Sequence, residues 1–205
     1  MRRNGTGYFT GNSLAGPVVA AAVLIKSISE IQRKFRKIVE IKDSKKLTPK
    51  KREELYEILT KNQAIEWRTG KASEKVIDKI NIKNASELAM FRATQKFKKP
   101  PNFLLIDGKY LKNKKLEKIS YKLIIKADEK VLSCAIASII AKVTRDRIMK
   151  RYHEKYPRYG FDKHKGYPTK LHKRMLKKSG PCKIHRKSFR PIKKVNSIYA
   201  KKITL

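Results

Sequence analysis

The sequence predicts an α/β fold, and three observations carry that expectation. Val18–Ile25 is a continuous apolar run of strand length. Phe103-Leu104-Leu105-Ile106 is a second apolar run, set off by Pro100-Pro101 and ending in Asp107-Gly108. From Ser133 to about Arg151 the pattern is helical, and its first half is apolar or small on every side, so that helix must be buried. Strands apolar on both faces, alternating with helices, indicate a sheet covered on both sides.

Taken in order, Gly5-Thr6-Gly7 and Gly11 mark the opening as a glycine-rich turn region, and Leu14-Ala15-Gly16-Pro17 leads into the Val18 strand. Thr48-Pro49 reads as an N-cap with proline at the first helical position; Leu55, Ile58 and Leu59 form that helix's inner stripe. Ile65, Trp67 and Thr69 alternate as in a strand. Ser73 opens a short helix with Val76, Ile77 and Ile80 inward, and Asn84 with Glu87 resembles the capping box of the next. Tyr121 to Ile125 is a further strand that runs into Lys126-Ala127-Asp128. The long helix turns basic at Lys142, Arg145, Arg147, Lys150 and Arg151. After it, Tyr156 to Phe161 and His164-Lys165-Gly166-Tyr167-Pro168-Thr169 interleave aromatic rings with cations. Beyond Gly180-Pro181 the chain is basic with little helical period.

With 205 residues, of which 40% are hydrophobic, the chain can bury a core as one large domain or a domain with a tail. Val18–Ile25 is too short to cross a membrane, and Met1-Arg2-Arg3-Asn4-Gly5 lacks the apolar core of a secretion signal. Cys134 and Cys182 make no disulfide framework, which implies a reducing, cytoplasmic setting. Lys and Arg outnumber Asp and Glu 53 to 17, a net charge of +36, so a polyanion is the expected partner. Charge of that kind also describes a ribosomal-protein-like RNA binder, but leaves the acids at strand ends unexplained. His164, His172 and His185 lack metal-ligand spacing and read as surface or structural residues.

Asp107 and Asp128 are the informative exceptions. A carboxylate ending a core strand in so basic a chain either starts a turn or belongs to a metal or catalytic site at the carboxyl edge of the sheet. Two such acids, a basic surface and an aromatic–cationic loop suggest metal-assisted cleavage of a phosphodiester backbone. The ordered motifs Leu14-Ala15-Gly16-Pro17-Val18, Asp43-Ser44-Lys45-Lys46-Leu47, Ile106-Asp107-Gly108, Lys126-Ala127-Asp128, Ala137 to Asp146, His164-Lys165-Gly166-Tyr167-Pro168-Thr169 and Gly180-Pro181-Cys182 resemble those of the ribonuclease HII family, from about residue 14 to about 191. The resemblance implies a ribonuclease H-like mixed sheet flanked by helices, with a helical and basic C-terminal part. It implies one domain over residues 1–191 and a basic tail over 192–205. The implied activity is hydrolysis of the RNA strand of RNA–DNA hybrids and nicking at ribonucleotides embedded in DNA. The family holds two divalent ions, Mn²⁺ or Mg²⁺, with four acids; Asp107 and Asp128 match the third and fourth. Tyr167 matches the tyrosine that packs on the sugar at the RNA–DNA junction, and Ser44, Lys45 and Lys46 match a phosphate-contacting loop. No membrane and no obligate protein partner are implied.

The resemblance breaks at the amino end. The family's first two acids lie in an Asp-Glu-Ala/Val-Gly-Arg-Gly motif on the first strand, before Leu-Ala-Gly-Pro. The nearest match here is Arg2-Arg3-Asn4-Gly5-Thr6-Gly7, in which Gly5, Thr6 and Gly7 would be the nucleic-acid cradle and arginines replace the acids. On that alignment the first strand is truncated or altered over residues 1–13, and metal binding and cleavage are expected to be weak. A displaced start or reading frame and a hybrid-binding pseudoenzyme are the two explanations.

Overall fold

The computed structural model describes residues 4–9, 13–27, 29, 31 and 47–203. A five-stranded mixed sheet has the order β3-β2-β1-β4-β5, with β1 at Asn4–Phe9, β2 at Val18–Ile25, β3 at Ile65–Ala72, β4 at Phe103–Asp107 and β5 at Ser120–Ile124. β1, β2 and β3 pair antiparallel; β4 runs parallel to β1, and β5 parallel to β4. The carboxyl ends of β1, β4 and β5 therefore share one edge.

Strand periodicity explains how β2 serves two layers. Ala21, Val23 and Ile25 face one core, where Ile136, Ile139 and Ile140 of α5 (Leu132–Lys155) and Leu55 and Leu59 of α1 (Pro49–Lys61) are buried. Val18 and Ala20 face the other, against Ile77, Ala85, Ala89 and Met90 of α2 (Glu74–Thr94) and Leu104 and Ile106 of β4. Each fully buried Ile or Leu contributes about 1.5–3 kcal/mol by leaving water, so the all-round apolar half of α5 anchors the sheet. On β3, Gly70 lets α2 come close: a Cβ there would stand 2.0 Å from the Ala89 carbonyl oxygen. Thr48 caps α1 by accepting the Lys51 N–H at 3.2 Å, with Pro49 opening the helix. Arg147 of α5 ties back to α1 through Glu53 and Glu57, both at 2.6 Å.

Four expectations need correction. Gly5-Thr6-Gly7 is strand, in place of the expected turn: Gly5 faces Val23, Thr6 faces Ala22 and Gly7 faces Ala21. Ladder pairing to β2, and for Gly5 and Thr6 also to β4, holds this stretch extended, so the first strand is present. Second, α2 begins at Ser73 as expected but continues through a kink at Asn81 (φ 64, ψ 166), and Asn81 Oδ1, three residues ahead of the expected cap, accepts the Asn84 N–H at 3.0 Å. Third, Asp128 lies beyond β5, in the one-turn helix α4 (Ala127–Lys130); α3 (Lys114–Glu117) precedes β5. Fourth, the basic C-terminal segment, with little helical period in its sequence, nevertheless contains α8 (Arg190–Ile203), the helical C-terminal part that the resemblance implies; its Ile192 and Val195 are buried against Leu14 and Leu176. Between α5 and α8 come α6 (Phe161–His164) and α7 (Lys170–Ser179).

Candidate nucleic-acid and metal site

Asp107 is the last residue of β4, and β5 lies beside it in parallel register, Asp107 level with Ile124. The chain leaves β5 through Lys126, in the left-handed conformation at φ 55, and this turn starts α4 directly under the Asp107 carboxylate. Asp107 Oδ1 accepts the Ala127 N–H at 3.0 Å, so one carboxylate is bonded to the residue immediately before the other. Asp128 is buried, 5% exposed, and Gly108 N–H donates to the Ile124 carbonyl at 3.2 Å, closing β4 and β5 at the same level. The topology thus brings both sequence-predicted acids to the carboxyl edge of two neighbouring parallel strands.

What stands beside them on the other flank follows from register. Gly5 pairs with Leu105 and Thr6 with Ile106, so Gly7 is level with Asp107 and Tyr8 comes next. Neither residue carries a carboxylate. The expected arginine-for-acid exchange falls on Arg2 and Arg3, which lie outside the described residues; the β1 residues level with and just beyond Asp107 are a glycine and a tyrosine. Hard carboxylate oxygens suit a divalent ion of the Mg²⁺ or Mn²⁺ kind. The pair fits such an ion in chemistry but is short in number: among the described residues, no group of three or more His, Cys, Asp and Glu side chains is placed to hold one.

A second feature lies along α5. A cleft of about 880 Å³ runs between the start of α1, the basic half of α5 and the loop after α6, with Lys50, Arg52, Lys142, Lys150, Lys165 and Tyr167 on its walls. Tyr167 is half-buried, with Lys142 Nζ 5.6 Å and Arg145 Cζ 5.9 Å from its ring centroid. Burial pushes its phenol above the ordinary value, so the ring enters the cleft as a neutral hydroxyl at physiological pH. Lys142 is paired with Asp146 at 2.7 Å; burial lowers its pKa and the Asp146 charge opposes that.

The loop that carries Tyr167 is held from beneath by Arg145, which is fully buried. Its guanidinium donates to the carbonyls of Pro17 at 3.1 Å, Ala15 at 3.1 Å and Lys165 at 3.0 Å, joining the Leu14-Ala15-Gly16-Pro17 segment to the Tyr167 loop. Arg186, also fully buried, donates from Nε to the Gly16 carbonyl at 3.0 Å. Gly166 completes the junction: at φ 86, a Cβ would meet the Ala15 carbonyl oxygen at 2.6 Å.

The sequence model described as Ribonuclease HII matches residues 10–192. The chain belongs to the ribonuclease HII family. The ribonuclease HII of Chlamydia trachomatis serovar L2 is 46% identical over 180 residues, covering 88% of this chain and 78% of the relative. The ribonuclease H2 from Pyrococcus horikoshii OT3 shares the fold at a TM-score of 0.78 and 24% identity, over 98% of this chain and 100% of that one. The ribonuclease HII of Archaeoglobus fulgidus, solved in complex with PCNA, superposes at a TM-score of 0.73 with 27% identity, over 90% and 92% of the two chains. The Bst ribonuclease HIII, solved in complex with Mn²⁺, superposes at 0.69 with 15% identity, over 98% and 71%.

For this ribonuclease HII family member, Asp107 and Asp128 lie together and Tyr167 lines the cleft, while Gly5, Thr6 and Gly7 form part of β1. Residues 10–12, and Ser44, Lys45 and Lys46, lie outside the described residues. Sequence reasoning missed Arg145, Arg186 and the histidines packed under the loop. The histidines are structural as expected, but they are buried, not on the surface: His164, His172 and His185 are 6%, 0% and 1% exposed. Basic residues inside an otherwise apolar helix were the available signal for Arg145; nothing local marked the rest.

Proposed function

We propose that this protein binds RNA–DNA hybrids and DNA containing ribonucleotides at the edge formed by Asp107 and Asp128 and along the Tyr167 cleft, and that this form of the chain hydrolyses them slowly. The observation that supports the reading is the convergence of the two acids through the Asp107–Ala127 hydrogen bond, with Gly7 and Tyr8 where further acids would complete the set. Family members are hydrolases that act on RNA in such hybrids. A bound Mn²⁺ or Mg²⁺ supplies Lewis acidity, which lowers the pKa of a water and stabilises charge on the phosphate and the departing 3′ oxygen.

The protein's own residues do the rest. Asp107 is held by the Ala127 N–H, one residue before Asp128, and on this reading the two carboxylates would share an ion. Lysines along the cleft draw in the phosphate backbone and release its counterions. The Tyr167 ring packs against a sugar, where ribose and deoxyribose differ in pucker and in the 2′-hydroxyl. Free cysteines, with Cys134 buried, fit a cytoplasmic setting, and among the described residues no helix is long and apolar enough to cross a membrane. The reading requires no protein partner.

The test is incubation with a duplex carrying one embedded ribonucleotide, with Mn²⁺ present. Slow nicking that disappears in Asp107→Asn supports hydrolysis. A second reading, a binder that has lost cutting, is favoured by the same Gly7–Asp107 register; tight binding with no product at any Mn²⁺ concentration would establish it. Failure to bind a hybrid more tightly than DNA of the same sequence would contradict both.

A further inference from the structure

Beneath the Tyr167 loop three imidazoles pack on one another. His164 and His172 are stacked with centroids 4.3 Å apart, His172 and His185 lie 5.3 Å apart, and Phe161 and Tyr159 cover them. None of this belongs to the acid pair or lines the ion's edge. Its hydrogen bonds, however, have a direction. The Cys182 backbone N–H can only donate, and it points at His185 Nδ1 at 2.9 Å. The Cys182 carbonyl is also within 3.3 Å of that nitrogen, but it already accepts the His185 backbone N–H at 3.0 Å. His185 Nδ1 is therefore the acceptor, and in a neutral ring the proton sits on Nε2.

The consequence propagates. His185 Nε2 and His172 Nε2 are 3.1 Å apart, so the first donates and the second accepts. His172 must then carry its proton on Nδ1, which lies 2.9 Å from the Tyr167 carbonyl and donates to it. That carbonyl also accepts the Thr169 N–H at 2.8 Å, at the N-cap of α7. His164 is fixed in the same way: Gly166 N–H donates to its Nδ1 at 3.1 Å, leaving Nε2–H for the Tyr159 carbonyl at 2.7 Å. An extra proton on His185 Nδ1 would face the Cys182 N–H, and one on His172 Nε2 would face the His185 Nε2–H.

We propose that His172 and His185 are positioning residues for Tyr167: a one-way chain of donors from the Cys182 amide through both rings to the Tyr167 carbonyl sets where that aromatic ring stands in the cleft. The inference rests on the reading that Tyr167 packs on the substrate sugar, and extends it to the residues that make the ring selective. Neither histidine reaches the cleft surface, so neither touches nucleic acid. Burial keeps both rings neutral, with His172 held down at about 4 and His185 at about 3.

Two measurements on the full-length chain test it. Imidazole ¹⁵N spectra near pH 7 should show His185 and His164 protonated at Nε2 and His172 protonated at Nδ1; the reverse assignment for His172 or His185 overturns the proposal without any variant. The second compares affinity for a duplex with one ribonucleotide and for all-DNA of the same sequence. His172→Phe should cut that preference roughly two- to tenfold, the worth of a lost hydrogen bond, and move the Tyr167 ring resonances. His172→Asn, whose side-chain amide can replace Nδ1–H, should restore both. If His172→Phe keeps both the preference and the ring resonances, the proposal is wrong. If Tyr167→Ala keeps the preference, the sugar-packing reading fails, and the ring resonances and tautomers alone decide whether the histidines position the tyrosine.

Discussion

Arg145 carries more of the architecture than any motif in the sequence suggests. One buried guanidinium satisfies three carbonyls on two segments; removing it strips that donor from Ala15 and Lys165 and leaves Pro17 with only the longer Arg186 contact at 3.5 Å. Arg145→Leu should cost about 3–5 kcal/mol in urea unfolding, in the range for breaking a buried charged network; a loss below about 1 kcal/mol would show that the loops hold themselves. The histidines give a second expectation at this scale. Their folded pKa values, about 4 for His172 and about 3 for His185, lie below the ordinary 6.5. The unfolded chain thus binds protons that the native state refuses. Stability is fully present above pH 6.5 and falls as pH drops through 6 and 5 toward the folded values. Between pH 7 and 5 the two rings should cost roughly 2–4 kcal/mol together, which the pH dependence of the melting temperature measures, and His172→Phe should flatten that slope. Asp107 and Asp128 were legible because a carboxylate after an apolar run is chemically conspicuous. The histidine chain was not, because its central link, His185 to His172, joins residues 13 apart in sequence with no local pattern to mark the pairing.

At the scale of elements, legibility followed how much of the pattern each segment carries itself. Val18–Ile25 is apolar throughout and appears at those limits as β2. β1 has no such run: Asn4-Gly5-Thr6-Gly7 reads as a turn, and it becomes a strand only because β2 and β4 flank it with open ladders. That correction matters most for function, since the β1 residues level with and next after Asp107 are Gly7 and Tyr8. The kink in α2 is a similar case. Asparagine tolerates positive φ better than most residues and caps well, so Asn81 can end one helix and start the next, whereas the capping-box spacing pointed three residues later. Asn81→Ala should lose about 1–2 kcal/mol by denaturant titration, combining backbone strain with a lost cap. An unchanged midpoint would mean that the kink is set by packing on β3.

For the whole molecule, a net charge of +36 makes affinity for any nucleic acid strong and salt-dependent. Log affinity for a hybrid should fall linearly with log salt, by about 0.9 per phosphate neutralised on a B-like duplex, while the preference for a ribonucleotide-containing duplex stays nearly constant. A preference that vanished with salt would assign recognition to charge instead of to Tyr167. The central claim is narrower: the fold and the Asp107–Asp128 edge belong to ribonuclease HII, and what limits this chain is the absence of carboxylates on β1 level with Asp107. It is tested most directly by the nicking rate of the Gly7→Asp, Tyr8→Glu double variant on a duplex with one embedded ribonucleotide in Mn²⁺. The account predicts a gain of at least about a hundredfold over the unaltered chain, roughly 2.7 kcal/mol off the barrier, abolished again by Asp107→Asn. A well-folded double variant that binds the duplex and cuts no faster would contradict it.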